Sequence, residues 1–413
     1  MNTPLPALSK GALAGIRVID FTWIGAGSFT TKLLADHGAE VIKIESRERL
    51  DTLRQGRPFR DGVPGLDRSG YFAERNSSKR SITLNMKTPE AQALARRLVA
   101  TADVLANNFT PGTMEKFGLG YDAVRAFKPD IVYLAMSMQG ADGPESRYLG
   151  YGLTIGALTS LHALCGLPER DPAGTGTNYP DHVPNPCHAA FATLAALRHR
   201  RRTGQGQLID VAQTEPTICL LGPAVLEVTA NGHNPQRRGN QHRPYAPHGV
   251  YPCAGEDRWI AIAVPDDSAW RALAQVLGEP AWMSDAAFAT RDARWAHRAQ
   301  TDARLGSETA RFDAPTLMTA LQSAGVMAGA VHDARDVLEA DAQLRHREHW
   351  QRLHHPVMGD SVYGASPFHL QRTPGGPQSP APLLGEHTEE VLCGLLGLPS
   401  EEVERLRAAG VLN

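Results

Sequence analysis

Short apolar runs alternate with amphipathic segments along the first half of the chain. Residues 16–24 are predicted to form a buried strand, residues 25–27 (Gly-Ala-Gly) a tight turn, and Ser28 the cap of a helix that runs to about residue 37. Residues 39–45 return as a second apolar strand. Because such βαβ units join parallel strands, the pattern predicts an α/β fold with a doubly wound sheet.

The same alternation continues to about residue 211. Further strands are predicted at 81–84, 104–106, 130–137 and 207–211, and further helices at 88–102, 121–126 and 186–202. Thr88 followed by Pro89 supplies a capping residue and a proline at the first helical position. The first half of the chain is therefore predicted to form one parallel sheet.

The pattern changes after about residue 228. Residues 231–247 are rich in Gly, Asn, Arg, His and Pro, which indicates a long loop. Strands at 249–253 and 259–264 then form a predicted hairpin, followed by helices at 268–278, 292–310 and 314–324. We therefore expect a large domain over 1–228, a small α+β domain over 229–325, and a return to the large domain over 326–413, with short helices at 388–396 and 400–408.

Composition narrows the class of protein. The chain has 413 residues and a formal net charge of −2, so it lacks the basic surface expected for nucleic-acid binding. Its five cysteines form no C-x-x-C pair, which indicates a reducing compartment. The sequence shows no signal peptide and no apolar run long enough to span a membrane. We expect a cytoplasmic protein without a membrane partner.

Two motifs in the first half suggest a phosphate-bearing ligand, although each has a structural alternative. Gly25 and Gly27, with Glu45 further on, imitate a dinucleotide fingerprint, but Thr30 occupies the place of its third glycine. A plain βα turn is the favoured interpretation. Lys79, beside a second cation, suits a phosphate, whereas a solvated strand edge is the favoured alternative.

Asp181 lies just ahead of the helix predicted from residue 186. A carboxylate facing a helix N-terminus is held ionised by the helix dipole and its N–H groups, and such a group can act as a nucleophile. The alternative is a helix-entry cap, which the residue pattern alone favours. Cys187 and His188 are adjacent on the helix and point to different faces, so they do not form a nucleophile pair.

A metal site is not expected. Four histidines cluster at positions 346, 349, 354 and 355, but no Cys or Asp completes a tetrahedral ligand set.

Six segments follow one another in an order shared with a known enzyme family. They are residues 15–22 (GIRVIDFT), 34–45 (LADHGAEVIKIE), 76–87 (NSSKRSITLNMK), 102–112 (ADVLANNFTPG), 204–212 (GQGQLIDVA) and 383–388 (LLGEHT). Together they resemble the class III CoA-transferases, the family of formyl-CoA transferase and carnitine CoA-transferase. The resemblance runs from about residue 11 to the C-terminus.

The resemblance implies a Rossmann-like large domain that binds CoA, an interlocked homodimer, and transfer of CoA from an acyl-CoA to a carboxylic acid without a metal or nicotinamide. It assigns Asp181 as the nucleophile, because the family's catalytic Asp precedes an Ala- and Leu-rich helix that ends in basic residues and Thr-Gly-x-Gly. Asp181 would form a mixed anhydride and then an aspartyl-CoA thioester. The matching positions place Arg47, Lys79 and Asn108 around the adenine nucleotide.

Glycine-rich loops are expected to supply donors for the oxyanions of this reaction. Gly239 and Asn240, in the loop that the family places over the active site, are the first candidates, and Gln139 and Gly140 are the second. The sequence departs from formyl-CoA transferase in this loop, where residues 238–244 (RGNQHRP) replace a tetraglycine segment. The departure disfavours oxalate and formate and favours a larger acid, such as succinate or a substituted succinate.

The sequence leaves three alternatives to a catalytic transferase. The α-methylacyl-CoA racemases share the fold, but Tyr151 occupies the place of their catalytic His, which favours transfer over racemisation. A nicotinamide-dependent oxidoreductase depends only on the incomplete glycine motif. A non-catalytic subunit of a heteromeric transferase is disfavoured because Asp181 is retained.

Overall fold

The core of the protein is a six-stranded sheet, seen in a computed structural model that describes residues 11–413. Its strands are β1 (Arg17–Asp20), β2 (Glu40–Glu45), β3 (Lys79–Thr83), β4 (Val104–Asn107), β5 (Val132–Ala135) and β6 (Gln207–Asp210). Their order is β3-β2-β1-β4-β5-β6, and all neighbouring pairs are parallel. The predicted parallel sheet is confirmed. The strand order reverses between β1 and β4, which is where ligands bind in such sheets.

Helices cover both faces of this sheet. Those in the first part of the chain are α1 (Ile24–Ala35), α2 (Gly70–Arg75), α3 (Pro89–Ala100), α4 (Thr113–Lys116), α5 (Tyr121–Phe127), α6 (Gly152–Leu158), α7 (Leu161–Leu164), α8 (Tyr179–His182), α9 (Pro184–Thr203), α10 (Thr214–Cys219) and α11 (Gly222–Asn231). Val18 packs in the cluster that includes α1 and α9, and Ile19 packs in the cluster that includes α3 and α5. This alternation follows from the two-residue period of a strand.

The segment after β1 differs from its prediction. Asp20 accepts hydrogen bonds from the backbone N–H and the hydroxyl of Thr22 at 2.8 and 2.6 Å, and the strand ends there. Helix α1 then starts at residue 24, so Gly25 and Gly27 lie in its first turn and form no separate loop. Ser28 is buried inside the helix and does not cap it.

The described chain separates into two compact units. The large unit comprises residues 11–164, 172–235 and 343–413, and the small unit comprises 165–171 and 236–342. The small unit contains an antiparallel sheet of β7 (His248–Pro252), β8 (Trp259–Ala263) and β9 (Met327–Ala330), with helices α12 (Asp267–Val276), α13 (Arg291–Ala296), α14 (Arg298–Thr309) and α15 (Ala314–Ser323). Because β9 pairs with β8, the predicted boundary at residue 325 falls before the last strand of this sheet.

The final part of the chain belongs to the large unit. It contains α16 (Ala342–His346), a hairpin of β10 (Trp350–His355) and β11 (Gly359–Gly364), and helices α17 (Thr388–Leu396) and α18 (Ser400–Ala408). Val391 and Val403 from the last two helices are buried in the same apolar cluster as α3. Across residues 11–413, no helix combines the length and the apolar character needed to cross a membrane.

Candidate active site

Asp181 is a buried carboxyl group in which one oxygen accepts a hydrogen bond and the other accepts none from the described residues. The residue is 1% exposed. Its Oδ2 accepts a hydrogen bond from the backbone N–H of Gly152 at 3.0 Å, whereas Oδ1 has no hydrogen-bond partner within residues 11–413. Burial raises the pKa of Asp181 to about 6, against the opposing effects of the Gly152 hydrogen bond and the Arg75 charge. A carboxyl group with such a pKa is about nine-tenths ionised at pH 7.

The N–H group that holds Asp181 comes from a different helix than the sequence suggested. Gly152 is the first residue of α6, whereas the prediction placed the carboxylate against the helix that follows Asp181. That following helix, α9, carries Pro184 and Pro186 in its first turn. Proline has no N–H group, so this turn offers fewer donors. Position 152 requires glycine, because an added Cβ would lie 2.4 Å from the Cβ of Asn178.

A second layer of polar side chains stands behind Asp181. Arg75 donates a hydrogen bond to Nδ1 of His182 at 3.0 Å, and Nε2 of His182 lies 3.3 Å from the Tyr71 hydroxyl. Because arginine is always a donor, Nδ1 is the acceptor and Nε2 carries the proton that faces Tyr71. Burial and the Arg75 charge lower the pKa of His182 to about 4, so this ring is neutral at pH 7.

Asp181 lines a cavity of about 220 Å³ in the large unit. The other lining residues are Trp23, Ile24, Gly25, Ala26, Arg49, Asn108, Phe109, Thr110, Ser137, Met138, Tyr148, Leu149, Gly150, Tyr151 and Gln213. Gly25 leaves room for the carboxylate, since a Cβ there would lie 3.0 Å from the Asp181 Cβ. A ligand in this cavity would therefore lie beside the Asp181 residue.

The wall of this cavity is held by a strained backbone. Ile24 has a φ of +57°, which is costly for a β-branched residue. Its N–H donates to Oδ1 of the buried Asp51 at 3.2 Å. The preceding residue, Trp23, is clamped by Asn108, which accepts from its N–H at 2.8 Å and donates to its carbonyl at 2.7 Å. These three hydrogen bonds fix the chain next to Gly25.

A second cavity of about 270 Å³ adjoins the first. Both are lined by Trp23, Arg49, Phe109 and Thr110. The second cavity is otherwise lined by Phe21, Ile44, Glu45, Ser46, Glu48, Leu84, Asn85, Met86, Lys87, Thr113 and Phe117. It therefore combines aromatic and aliphatic side chains with the two cations Arg49 and Lys87, of which Lys87 pairs with the exposed Glu48 at 3.5 Å. Aromatic rings together with cations suit a flat, phosphorylated group.

The structure separates the three residues that the sequence assigned to the adenine nucleotide. Asn108 lines the cavity with Asp181, where its side-chain amide is occupied by Trp23. Arg47 is exposed, but its neighbours on either side line the second cavity in its place. Lys79 is 2% exposed, and its ammonium donates to four protein oxygens, one of which belongs to Asp20.

None of the four candidate oxyanion residues is among the residues that line the Asp181 cavity. The side-chain amide of Gln139 bonds Glu145 and the Thr214 hydroxyl, and Gly140 packs near Ala212. Gly239 and Asn240 belong to the small unit. There, the N–H of Gly239 donates to the carbonyl of Gly166 at 2.9 Å, and Asn240 is exposed.

Several residues of the candidate site were not predicted, because the sequence shows no motif at their positions. Gly152 acts through its backbone, and Ser137 follows a buried strand without any motif of its own. Arg49 and Lys87 were hidden among ordinary surface charges. A signal for Lys87 was nevertheless present, because it ends the segment 76–87 that carries the family resemblance.

A buried carboxyl group that lines a cavity of a doubly wound sheet is an arrangement that suits an enzyme. The chain belongs to CoA-transferase family III, whose family model matches residues 13–388. It is a CoA-transferase, which moves CoA from an acyl-CoA thioester to a carboxylic acid. The transferase prediction is confirmed and is favoured over the racemase and oxidoreductase alternatives.

Two relatives and one solved structure are similar to the chain over almost their whole length. A succinyl-CoA–D-citramalate CoA-transferase from Chloroflexus aurantiacus is 34% identical over 97% of this chain and 98% of its own. A succinate–glutarate CoA-transferase from Agrobacterium fabrum is 34% identical over 96% of this chain and 97% of its own. A crystal structure of a CAIB/BAIF family protein from Brucella suis has a TM-score of 0.84 and 32% identity, covering 92% of this chain and 98% of that one.

Proposed function

We propose that this enzyme transfers CoA through a covalent aspartyl-CoA intermediate on Asp181. The observation that carries the proposal is the asymmetry of the carboxylate: Oδ2 is held by the Gly152 N–H, and Oδ1 is unpartnered within residues 11–413. Oδ1 is then the oxygen that attacks the donor thioester and expels CoA thiolate. The product is a mixed anhydride between Asp181 and the donor acyl group.

The CoA thiolate next attacks the Asp181 carbonyl carbon, and the donor carboxylate leaves. Negative charge develops on Oδ2, where the Gly152 N–H already donates a hydrogen bond at 3.0 Å. The resulting thioester reacts with the acceptor carboxylate to form a second anhydride, from which CoA takes the acceptor acyl group. Each step conserves an activated acyl group, so no ATP is consumed.

The adjoining cavities suggest where CoA binds. The adenine ring fits the apolar cavity that contains Phe109 and Phe117, and Arg49 and Lys87 face its phosphates. The pantetheine arm then passes the shared residues Trp23 and Thr110 toward Asp181. This arrangement replaces Arg47 and Lys79 as direct CoA ligands and retains Asn108 as the residue that fixes the pantetheine passage.

The proposed CoA site predicts that substitutions there change acyl-CoA binding and leave turnover nearly unchanged. Arg49→Ala and Lys87→Ala should each raise the KM for acyl-CoA several-fold with little change in kcat, because both cations are exposed and, in this arrangement, contact the phosphates and not the reacting atoms. Steady-state kinetics at several salt concentrations measure the effect. Arg47→Ala is the matched control and should leave KM near the wild-type value. A larger KM effect for Arg47 than for Arg49 would contradict the arrangement.

We propose succinyl-CoA as the donor and a short dicarboxylic acid as the acceptor. Two relatives are named for succinate or succinyl-CoA together with glutarate or D-citramalate. The test is incubation with succinyl-CoA and a panel of acids, followed by mass analysis of the CoA esters. Deuterium wash-in at the α-carbon without CoA exchange would instead show a racemase.

The homodimer expected from the family is also a proposal. The edge strand β6 is largely exposed, although it ends a sheet whose other strands are covered. Large apolar side chains elsewhere in the large unit are exposed as well, among them Leu149 at 79%, Phe191 at 74% and Leu226 at 63%. Apolar surface of this kind marks an interaction site. Light scattering of the purified enzyme should give twice the mass of one chain.

The raised pKa of Asp181 predicts a pH dependence. Only the carboxylate form attacks a thioester, so kcat/KM should be constant above about pH 6 and fall about tenfold per pH unit below it. Because the phosphates of CoA titrate in the same pH range, a further experiment must show whether the inflection in kcat/KM belongs to Asp181 or to the substrate. The Arg75 charge lowers the pKa of Asp181, and Arg75→Met should therefore move the inflection to higher pH. An unmoved inflection would assign it to the substrate.

A further inference from the structure

A buried serine hydroxyl without a protein partner belongs to a residue that lines the Asp181 cavity. Ser137 is 6% exposed, and its Oγ makes no hydrogen bond to any of the described residues. The residue lines the same cavity as Asp181, whose Oδ1 is also unpartnered there. A buried polar group without a partner costs about 1–3 kcal/mol, so such groups in native structures call for an explanation.

The backbone around Ser137 is fixed, although its hydroxyl is not. The carbonyl of Ser137 accepts from the N–H of Gln213 at 3.0 Å. The side chain of Gln213 donates to the carbonyl of Met136 at 2.6 Å and accepts from Asn185 at 3.4 Å. These contacts hold the chain at the end of β5 and leave rotation about χ1 as the free movement of the hydroxyl. Rotation about χ1 is the movement that would turn this buried hydroxyl toward a molecule bound in the cavity.

The aspartyl route creates oxyanions at two different carbon atoms. One forms on the carbonyl carbon of Asp181, where the Gly152 N–H is already in place. The other forms on the carbonyl carbon of the acyl group, which lies in the cavity and not on the protein. One N–H group cannot serve both positions, so the acyl oxyanion needs its own donor.

We propose that the Ser137 hydroxyl is the donor to the acyl oxyanion and is a catalytic residue distinct from Gly152. The proposal depends on the aspartyl route proposed above. In the first step, Oδ1 of Asp181 bonds to the acyl carbon, and the C=O electron pair moves to the oxygen that accepts from Ser137. The pair then returns, the C–S bond breaks, and CoA leaves as the thiolate. Ser137 donates a hydrogen bond but transfers no proton.

The two oxyanion positions can be tested separately. In Ser137→Ala, formation of the enzyme-bound aspartyl-CoA from acyl-CoA should slow about 10²-fold, the usual effect of losing one oxyanion donor. Rapid quenching and mass analysis of the intact protein measure this step. Hydroxylamine attack on the preformed thioester should keep its wild-type rate, because only the Asp181 carbonyl carbon reacts. Ser137→Cys keeps the side-chain size, is a weak donor, and should show the same selective loss.

Ser28→Ala is the matched control. Ser28 is also fully buried with an unpartnered Oγ, but it lies in α1 outside the cavity lining, so both rates should stay at wild-type values. The proposal is overturned if Ser137→Ala leaves thioester formation unchanged, or if it slows both reactions alike, which would indicate a distorted site. Failure of the aspartyl route itself would be visible in the wild-type enzyme, which would then form no aspartyl-CoA.

Discussion

Asp181→Asn should reduce CoA transfer by at least about 10³-fold, because the substitution removes the nucleophile and preserves the shape of the site. The amide has the size of the carboxylate and can still accept the hydrogen bond from Gly152 that Oδ2 accepts at 3.0 Å. It cannot form an anhydride with the donor acyl group. Exchange of labelled CoA between two acids measures the loss, and the variant should also gain no CoA mass during turnover.

Asp302→Asn provides a matched control for this substitution. Asp302 is a second carboxyl group whose pKa is raised by burial, and it accepts from the Tyr251 hydroxyl at 2.7 Å in the small unit. It has no place in the proposed mechanism, so its loss should leave the transfer rate per folded enzyme nearly unchanged. Substantial exchange by Asp181→Asn would require a route that does not use a covalent aspartyl group.

Local patterns were sufficient to predict most of the large sheet. The alternation of apolar strands and amphipathic helices gave its parallel arrangement, and Thr88 caps α3 as predicted, with its hydroxyl accepting from the N–H of Ala91 at 3.2 Å. The predicted start of α1 was wrong, because its position depends on hydrogen bonds to residues distant in sequence. Asn108 and Asp51 fix residues 23 and 24, and no local pattern reveals those contacts.

In the candidate site, too, some residues could be predicted from the sequence and others depend on contacts between distant parts of the chain. Asp181 could be proposed from the sequence because the family resemblance points to a single residue type at a single position. The donor to Asp181 was missed, because a backbone N–H has no sequence signature and Gly152 lies 29 residues away. The apolar lining of the second cavity was missed for a similar reason. Phe109 and Phe117 belong to no motif in the sequence, and only the folded sheet places them in one cavity with residues 84–87.

Lys79 shows how a correct motif can suggest the wrong contact. It lies in a segment that the family resemblance associates with CoA, and its charge suits a phosphate. Its ammonium instead contacts Asp20 Oδ2 at 3.1 Å, the Ser28 carbonyl, the Thr31 hydroxyl and Asn76. Burial lowers the pKa of Lys79 to about 8, although the Asp20 charge opposes this change. The residue therefore supports the strands beneath the site.

Lys79→Met should lower the free energy of unfolding of the large unit by about 3–5 kcal/mol, because it leaves the Asp20 charge buried without its partner. The fraction that folds should bind acyl-CoA with a nearly normal KM. Denaturant titration and kinetics on the same preparation separate the two effects. Lys87→Met is the control and should show the reverse, with normal stability and a raised KM. If Lys79→Met were fully stable and raised KM instead, Lys79 would be a CoA ligand.

Asp20→Asn combined with Lys79→Met should recover part of the lost stability, because neither charge of the pair is then buried without the other.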